Sequence, residues 1–208
     1  RYMPENLPSN FITSLNFPME YRFSFSHGKQ QAERDIAPRW SQIFRIKYFH
    51  QPFDSKLTGD LFSVENFIYT PGIANNHSFL INFNYQKATG IRRFNREINS
   101  VYGYNNIIAK TELRNTLLFN YRFPIAFPDA EIGALAYIKN LRGTLFTHYE
   151  NFGTETNLTE PKTYGIELRS SMNLLRYDAN VEFGGRMVFV NKIYHQNPIF
   201  ELIFNYSF

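Results

Sequence analysis

Long stretches of strict two-residue alternation and an aromatic content of 18%, with no apolar run near the ~20 residues of a membrane-spanning helix, predict an all-β fold. The specific form predicted is an antiparallel transmembrane β-barrel, whose strands hide their apolarity by placing a polar, lumen-facing residue after each lipid-facing one. The closing stretch shows the pattern best. Phe200, Leu202, Phe204, Tyr206 and Phe208 fall on one face, and Ile199, Glu201, Ile203, Asn205 and Ser207 on the other. Successive side chains leave a pleated backbone on opposite sides, so this is the period of a strand.

Taken in order, the strands begin with Phe11, Thr13, Leu15, Phe17, Met19, Tyr21, Phe23 and Phe25, set against Ser14, Asn16, Glu20, Arg22, Ser24 and Ser26. Pro18 lies on the polar side and marks a bulge. A second strand spans Gln42 to Phe49, with Phe44, Ile46 and Tyr48 opposite Arg45 and Lys47. A third, Gly59 to Tyr69, alternates poorly. Ser78 to Gln86 alternates Phe79, Ile81, Phe83 and Tyr85 with Asn82, Asn84 and Gln86. Ala109 to Phe123 is the most regular, and Leu141 to Glu150, Tyr164 to Leu174, Ala179 to Val190 and Ile199 to Phe208 complete about nine strands. Most approach the ~9–11 residues a tilted membrane strand needs.

A soluble β-sandwich also alternates, because one face of each strand meets water and the other a shared core. Sandwich strands usually run about 5–6 residues between closely spaced turns. The strands here are longer, and their apolar faces are nearly unbroken and aromatic, with 22 Phe and 14 Tyr against one Trp.

The connections fit the same scheme. If the last strand ends in the periplasm, Tyr177-Asp178, Pro124 to Asn140 and Thr70 to Asn76 become inner turns, and residues 151–163 and 87–108 become outer loops. Within Pro124 to Asn140, the stretch Asp129 to Tyr137 is able to form a short helix. Only Gly28 to Arg39 is long where a short turn is expected.

At 208 residues the chain is long enough for one domain over 1–208. Its net charge of +4 is spread among acids rather than clustered, which argues against nucleic acid as a partner. There is no cysteine, so no disulfide or thiolate site exists. The chain opens on Arg1 without a charged-then-apolar leader, as expected of a processed product or a piece of a longer chain.

Several segments together resemble the BamA-like bacterial surface antigen superfamily, the outer-membrane insertases and two-partner secretion pores, in the variant associated with Bacteroidota. They are Asp35 to Trp40, Tyr69 to Ile73 with Asn76-His77-Ser78, Asn120 to Pro128, Tyr137 to Tyr149 and the closing strand. The resemblance covers residues 35–208 and rests on order and spacing more than on any one motif. It implies that the nine strands are the C-terminal part of a sixteen-stranded barrel, with upstream strands and periplasmic modules absent. It also implies a Gram-negative outer-membrane location and a role in outer-membrane protein assembly or transport.

The closing strand resembles the family's assembly signal at Glu201, Phe204, Tyr206 and Phe208, with Ile203 where glycine is usual. The family's Arg-Gly-aromatic motif lies on a loop that folds into the lumen. Two stretches are similar to it: Arg92 to Phe94 keeps the arginine, and Tyr102-Gly103-Tyr104 keeps the glycine and the aromatic. The plain alternative is that residues 87–108 form a polar outer loop. In the family the motif's arginine pairs with an acid on the strand matching Leu141–Glu150, which makes His148 and Glu150 the corresponding partners.

The polar faces themselves place Lys110, Glu112, Arg114, Arg122, Glu167, Arg169, Glu182 and Arg186 in the lumen. They form either an ion-paired wet lining or a selectivity filter. The chemistry of an enzyme is missing. His27, His50, His77, His148 and His195 show no metal-ligand spacing, and there is neither a nucleophile elbow nor a phosphate-binding glycine loop. His77-Ser78 at a strand start is more readily interfacial than catalytic. The expectation is therefore no enzyme and no cofactor. The expected partners are outer-membrane lipid and lipopolysaccharide, with other envelope proteins or client barrel strands. A passive porin-like channel and a structural barrel that anchors an envelope complex are the rival roles.

Overall fold

A computed structural model describes residues 19–29, 36–51, 59–90, 98–104, 113–154, 157–174, 180–191 and 198–207. They form one antiparallel sheet, with no helix among the described residues. Its nine long strands are β1 (Met19–Gly28), β2 (Ser41–His50), β3 (Gly59–Pro71), β4 (Ser78–Gly90), β5 (Leu113–Ala126), β7 (Ala136–Thr154), β9 (Lys162–Leu174), β10 (Asn180–Val190) and β11 (Ile199–Ser207). Each pairs with its neighbours along the chain. Two short strands, β6 (Ala130–Ile132) and β8 (Asn157–Thr159), pair with β7 alone. β1 and β11 are the edges, and no pairing joins them among the described residues, so the sheet is open.

The registers carry the sequence alternation across the sheet without a change of face. One row runs Ile68, Ile81, Phe119, Thr147, Tyr164, Phe189 from β3 to β10. Tyr164 and Phe189 stack in it with ring centres 5.1 Å apart. A neighbouring row on the opposite face runs Arg45, Glu65, Asn84, Thr116, Glu150. The aromatic face is the exposed one: Phe119 is 36%, Phe183 51% and Phe204 62% exposed. The polar face is the buried one, with Ser63, Glu65, Asn82, Asn84, Thr116, His148 and Glu150 all below a tenth exposed.

The polar face is buried because the sheet curls around the segment 98–104. Phe67 of β3 and Arg186 of β10 line one cavity although five strand steps separate them. In a flat sheet those steps would amount to ~24 Å at about 4.8 Å each. Val101 and Tyr104 of the segment pack on Leu118 of β5, with Val190 of β10 against them, and this is the apolar core of the inner side.

Two expectations need correction, and the weakest strand expectation holds. Asp129 to Tyr137 is not a helix: β6 turns at Gly133 (φ +55°) and pairs with β7 through Ala130–Ile138, Glu131–Tyr137 and Ile132–Ala136. Nine residues fall short of the ~12–15 a helix needs to hold on its own, whereas extending the existing ladder pairs each backbone group at once. Residues 151–163 are not one polar loop, because β7 continues to Thr154 and pairs with β8. The strand expected at Leu141–Glu150 accordingly runs from Ala136 to Thr154. The poorly alternating Gly59–Tyr69 is a full strand ending at Pro71. Its pattern is blurred because Leu61, Phe67 and Tyr69 place apolar groups on the inner face as well. Of the first strand, Phe11 to Pro18 lie outside the described residues, as does the turn Tyr177-Asp178.

Candidate functional site

The inner face of β7, β9, β10 and β11 carries an unbroken chain of alternating charges. Arg142 pairs with Glu182, Glu182 with Arg169 at 3.1 Å, Arg169 with Glu167, Glu167 with Arg186 at 2.6 Å, and Arg186 with Glu201 at 2.9 Å. The register explains why these residues meet. Glu167, Arg186 and Glu201 stand directly opposite one another on three adjacent strands. Opposite charges in that position attract, whereas Arg142 and Arg169, also directly opposite, repel. Glu182 relieves this by accepting hydrogen bonds from both guanidinium groups. With three arginines and three glutamates the chain is neutral, so the wall can be ionic without an uncompensated buried charge.

A second cluster lies toward β5. Arg114 pairs with Glu150, both nearly buried, and the amide N–H of Val101 donates to Glu150 Oε2 at 3.2 Å. Asn84 Nδ2 donates to Thr116 Oγ1 at 2.8 Å, and His148 Nε2 meets Asn120 Oδ1 at 3.2 Å. These contacts give each of these side chains a partner, as polar groups removed from water require, while Asn84 Oδ1 and His148 Nδ1 find none among the described residues.

The segment 98–104 joins the two clusters. Tyr102 lies edge-on to Phe146, with ring centres 5.1 Å apart, and 4.7 Å from His148. Its ring face receives Arg186, whose guanidinium carbon is 3.4 Å from the ring centre. Gly103 has φ +82°, and a Cβ there would stand 2.8 Å from Val190 Cγ1. Both its backbone angle and its close approach to β10 therefore favour glycine. The Tyr104 hydroxyl accepts from the Asn191 amide at 3.2 Å and donates to the Lys162 carbonyl at 3.4 Å.

Of the two stretches similar to the lumen-loop motif, Tyr102-Gly103-Tyr104 lies on the inner face, and Arg92 and Phe94 lie outside the described residues. Residues 98–104 are therefore not a free polar outer loop. His148 touches Tyr102 directly, and Glu150 holds the segment through Val101. Arg114, Arg122, Glu167, Arg169, Glu182 and Arg186 all fall on the inner strand positions, whereas Lys110, Glu112 and Phe208 lie outside the described residues. Glu201 ends the charge chain, while Phe204 and Tyr206 point to the exposed face. Sequence reading missed Arg142, and it placed Asn82 and Asn84 on a polar face without singling them out, or Asn120, as site residues. Arg142 stands at an even position like Thr144 and His148, so the two-residue period over β7 was the signal for it.

Among the described residues no group of three or more His, Asp or Glu could hold a metal ion. No family model, curated protein or solved structure matches the chain.

Proposed function

We propose that the chain forms part of an outer-membrane β-barrel that takes part in the assembly or translocation of other envelope proteins. Its aromatic face would meet hydrocarbon, and its ionic face would surround a lumen occupied by residues 98–104. The observation that carries this reading is the inversion of faces: aromatic rings are exposed and charges are buried. Fully burying a Phe or Leu side chain gains about 1.5–3 kcal/mol. Phe183, Phe200, Leu202 and Phe204, each at least half exposed, would forgo much of that in water. Soluble monomers rarely expose a contiguous apolar patch beyond a few hundred Å². A bilayer removes the penalty.

In lipid an open sheet edge leaves N–H and C=O groups unsatisfied. This reading therefore calls for further strands between β1 and β11, as in a sixteen-stranded closure. The occupied inner face supports an assembly or translocation role over a passive channel, which works with an open lumen. BamA-like surface antigens carry a guanidinium on the lumen loop; here the ring is on the loop and the guanidinium on the wall, a departure that bears on insertase activity and not on the barrel.

Two measurements test the proposal. With Trp40 changed to Phe, tryptophans placed at Phe119 and Phe183 are expected to be quenched by brominated acyl chains in reconstituted vesicles. No quenching at either position would remove the membrane from the account. A cysteine at Asn205, in a chain that has none of its own, is expected to crosslink to nascent barrel strands during active biogenesis. Steady ohmic conductance without any crosslink would replace assembly with passive transport.

A further inference from the structure

Six of the seven described arginines on the inner strand positions have a carboxylate partner: Arg22, Arg45, Arg114, Arg142, Arg169 and Arg186. Arg122 does not. Among the described residues its one charged or ring interaction is with the face of Tyr69, 6.0 Å from the ring centre. Along its cross-strand row come Thr144, then Glu167, then Arg186. Glu167 is thus the first acid on that side, two strands away, and it is already engaged by Arg169 and Arg186.

Arg122 borders a cavity of about 520 Å³ between the wall and the segment 98–104. That is within the ~300–1,000 Å³ typical of small-molecule sites. Phe67, Tyr69 and Tyr102 supply rings to it, and Asn82 supplies an amide. Asn82 is 3% exposed, and its Oδ1 accepts no hydrogen bond from the described residues. An unfilled buried acceptor costs about 1–3 kcal/mol. Among the described residues no carboxylate side chain lines the cavity, and Arg186, which also lines it, is neutralised by Glu167 and Glu201.

We infer that this cavity binds a small organic anion with a flat or apolar body. Its carboxylate or phosphate pairs with Arg122, its ring lies among Phe67, Tyr69 and Tyr102, and an O–H or N–H on it donates to Asn82 Oδ1. Guanidinium pairs with either oxyanion in a two-pronged arrangement, so the group that the ligand carries is left to the probes. The inference stands on the inner face alone, whichever medium the outer face meets.

The test is calorimetric titration of the folded full chain with 4-hydroxybenzoate, phenyl phosphate and the neutral 4-hydroxybenzamide. At least one anion is expected to bind saturably and at least tenfold more tightly than the amide; which anion does so identifies the group. Arg122→Gln is expected to abolish the preference, and Arg122→Lys to retain it. Asn82→Asp nearly preserves shape but places a negative charge against the ligand, so it is expected to weaken anion binding at least tenfold. It keeps the test decisive if Arg122→Gln does not fold. Equal affinity for anion and amide, no saturable binding of either anion, or anion binding that survives both Arg122→Gln and Asn82→Asp would overturn the assignment.

Discussion

The guanidinium carbon of Arg186 sits 3.4 Å from the centre of the Tyr102 ring, while its nitrogens donate to Glu167 and Glu201. Its edge is thus spent on two carboxylates and its face on one aromatic. A planar cation does both at once, which an ammonium group cannot. Through this one side chain the wall of β9, β10 and β11 is joined to the segment folded onto it.

Removing the ring should loosen that join. Tyr102→Ala is expected to lower unfolding free energy by about 1–2 kcal/mol, the size of a desolvated cation–π contact. Tyr102→Phe should stay within about 0.5 kcal/mol of the parent, because among the described residues no hydrogen bond of the Tyr102 hydroxyl supports the contact. Urea unfolding in a fixed detergent or lipid separates the two. A Tyr102→Phe loss equal to that of Tyr102→Ala would show that the hydroxyl, not the ring face, holds the segment.

Breaking the charge chain in its middle should cost more than trimming a pair at the sheet's edge. Arg186→Gln leaves Glu201 without a cation and removes one of Glu167's two, with an expected loss of about 3–5 kcal/mol. The Arg22–Glu20 pair on β1 is largely exposed, so Arg22→Gln should change stability by no more than about 0.5 kcal/mol. Equal losses in parallel unfolding curves would mean that the chain contributes no more than surface pairs do.

Gly103→Ala combines an unfavourable φ of +82° with a methyl 2.8 Å from Val190 Cγ1. Left-handed backbone alone costs about 1–2 kcal/mol for a residue with a Cβ. The variant is expected to lose at least that much and to increase protease cleavage near residues 98–104. Gly133 also has positive φ, but a Cβ there meets nothing within 4 Å. Gly133→Ala should therefore lose only the backbone share.

A charge on the aromatic face tests which medium it meets. Phe183→Arg should cost about 2–4 kcal/mol in vesicles if the position lies near the bilayer midplane. In water, exchanging a half-exposed phenylalanine for arginine would be close to neutral or would improve solubility. Folding yield into vesicles across Phe183→Arg and Phe183→Leu distinguishes the two cases.

The strands were legible because their period survives in sequence: β4 alternates so cleanly that its exposed and buried faces can be read from parity alone. β3 was hard to read because Leu61, Phe67 and Tyr69 face inward, where they pack against other inner-face groups and against Arg45 and Arg122. The hairpin of β6 was missed because a short Ala-rich stretch has helical propensity, which the adjoining ladder overrides. The charge chain was visible only in part. Period shows which residues share a face, but register decides which of them meet, and Arg142 finds Glu182 across an intervening strand. The inward fold of 98–104 had no periodic signal, and only the Tyr-Gly-Tyr composition pointed to it.

Because every long strand pairs with those beside it along the chain, the sheet can be built by successive hairpins, each closing a modest stretch of polypeptide before the next is added. Such local pairing favours fast ordering. The exception is the insertion of residues 98–104, whose anchors on β7, β9 and β10 emerge later in the chain than the segment itself. That step must wait for strands not yet laid down, so the segment can settle only once β10 is in place.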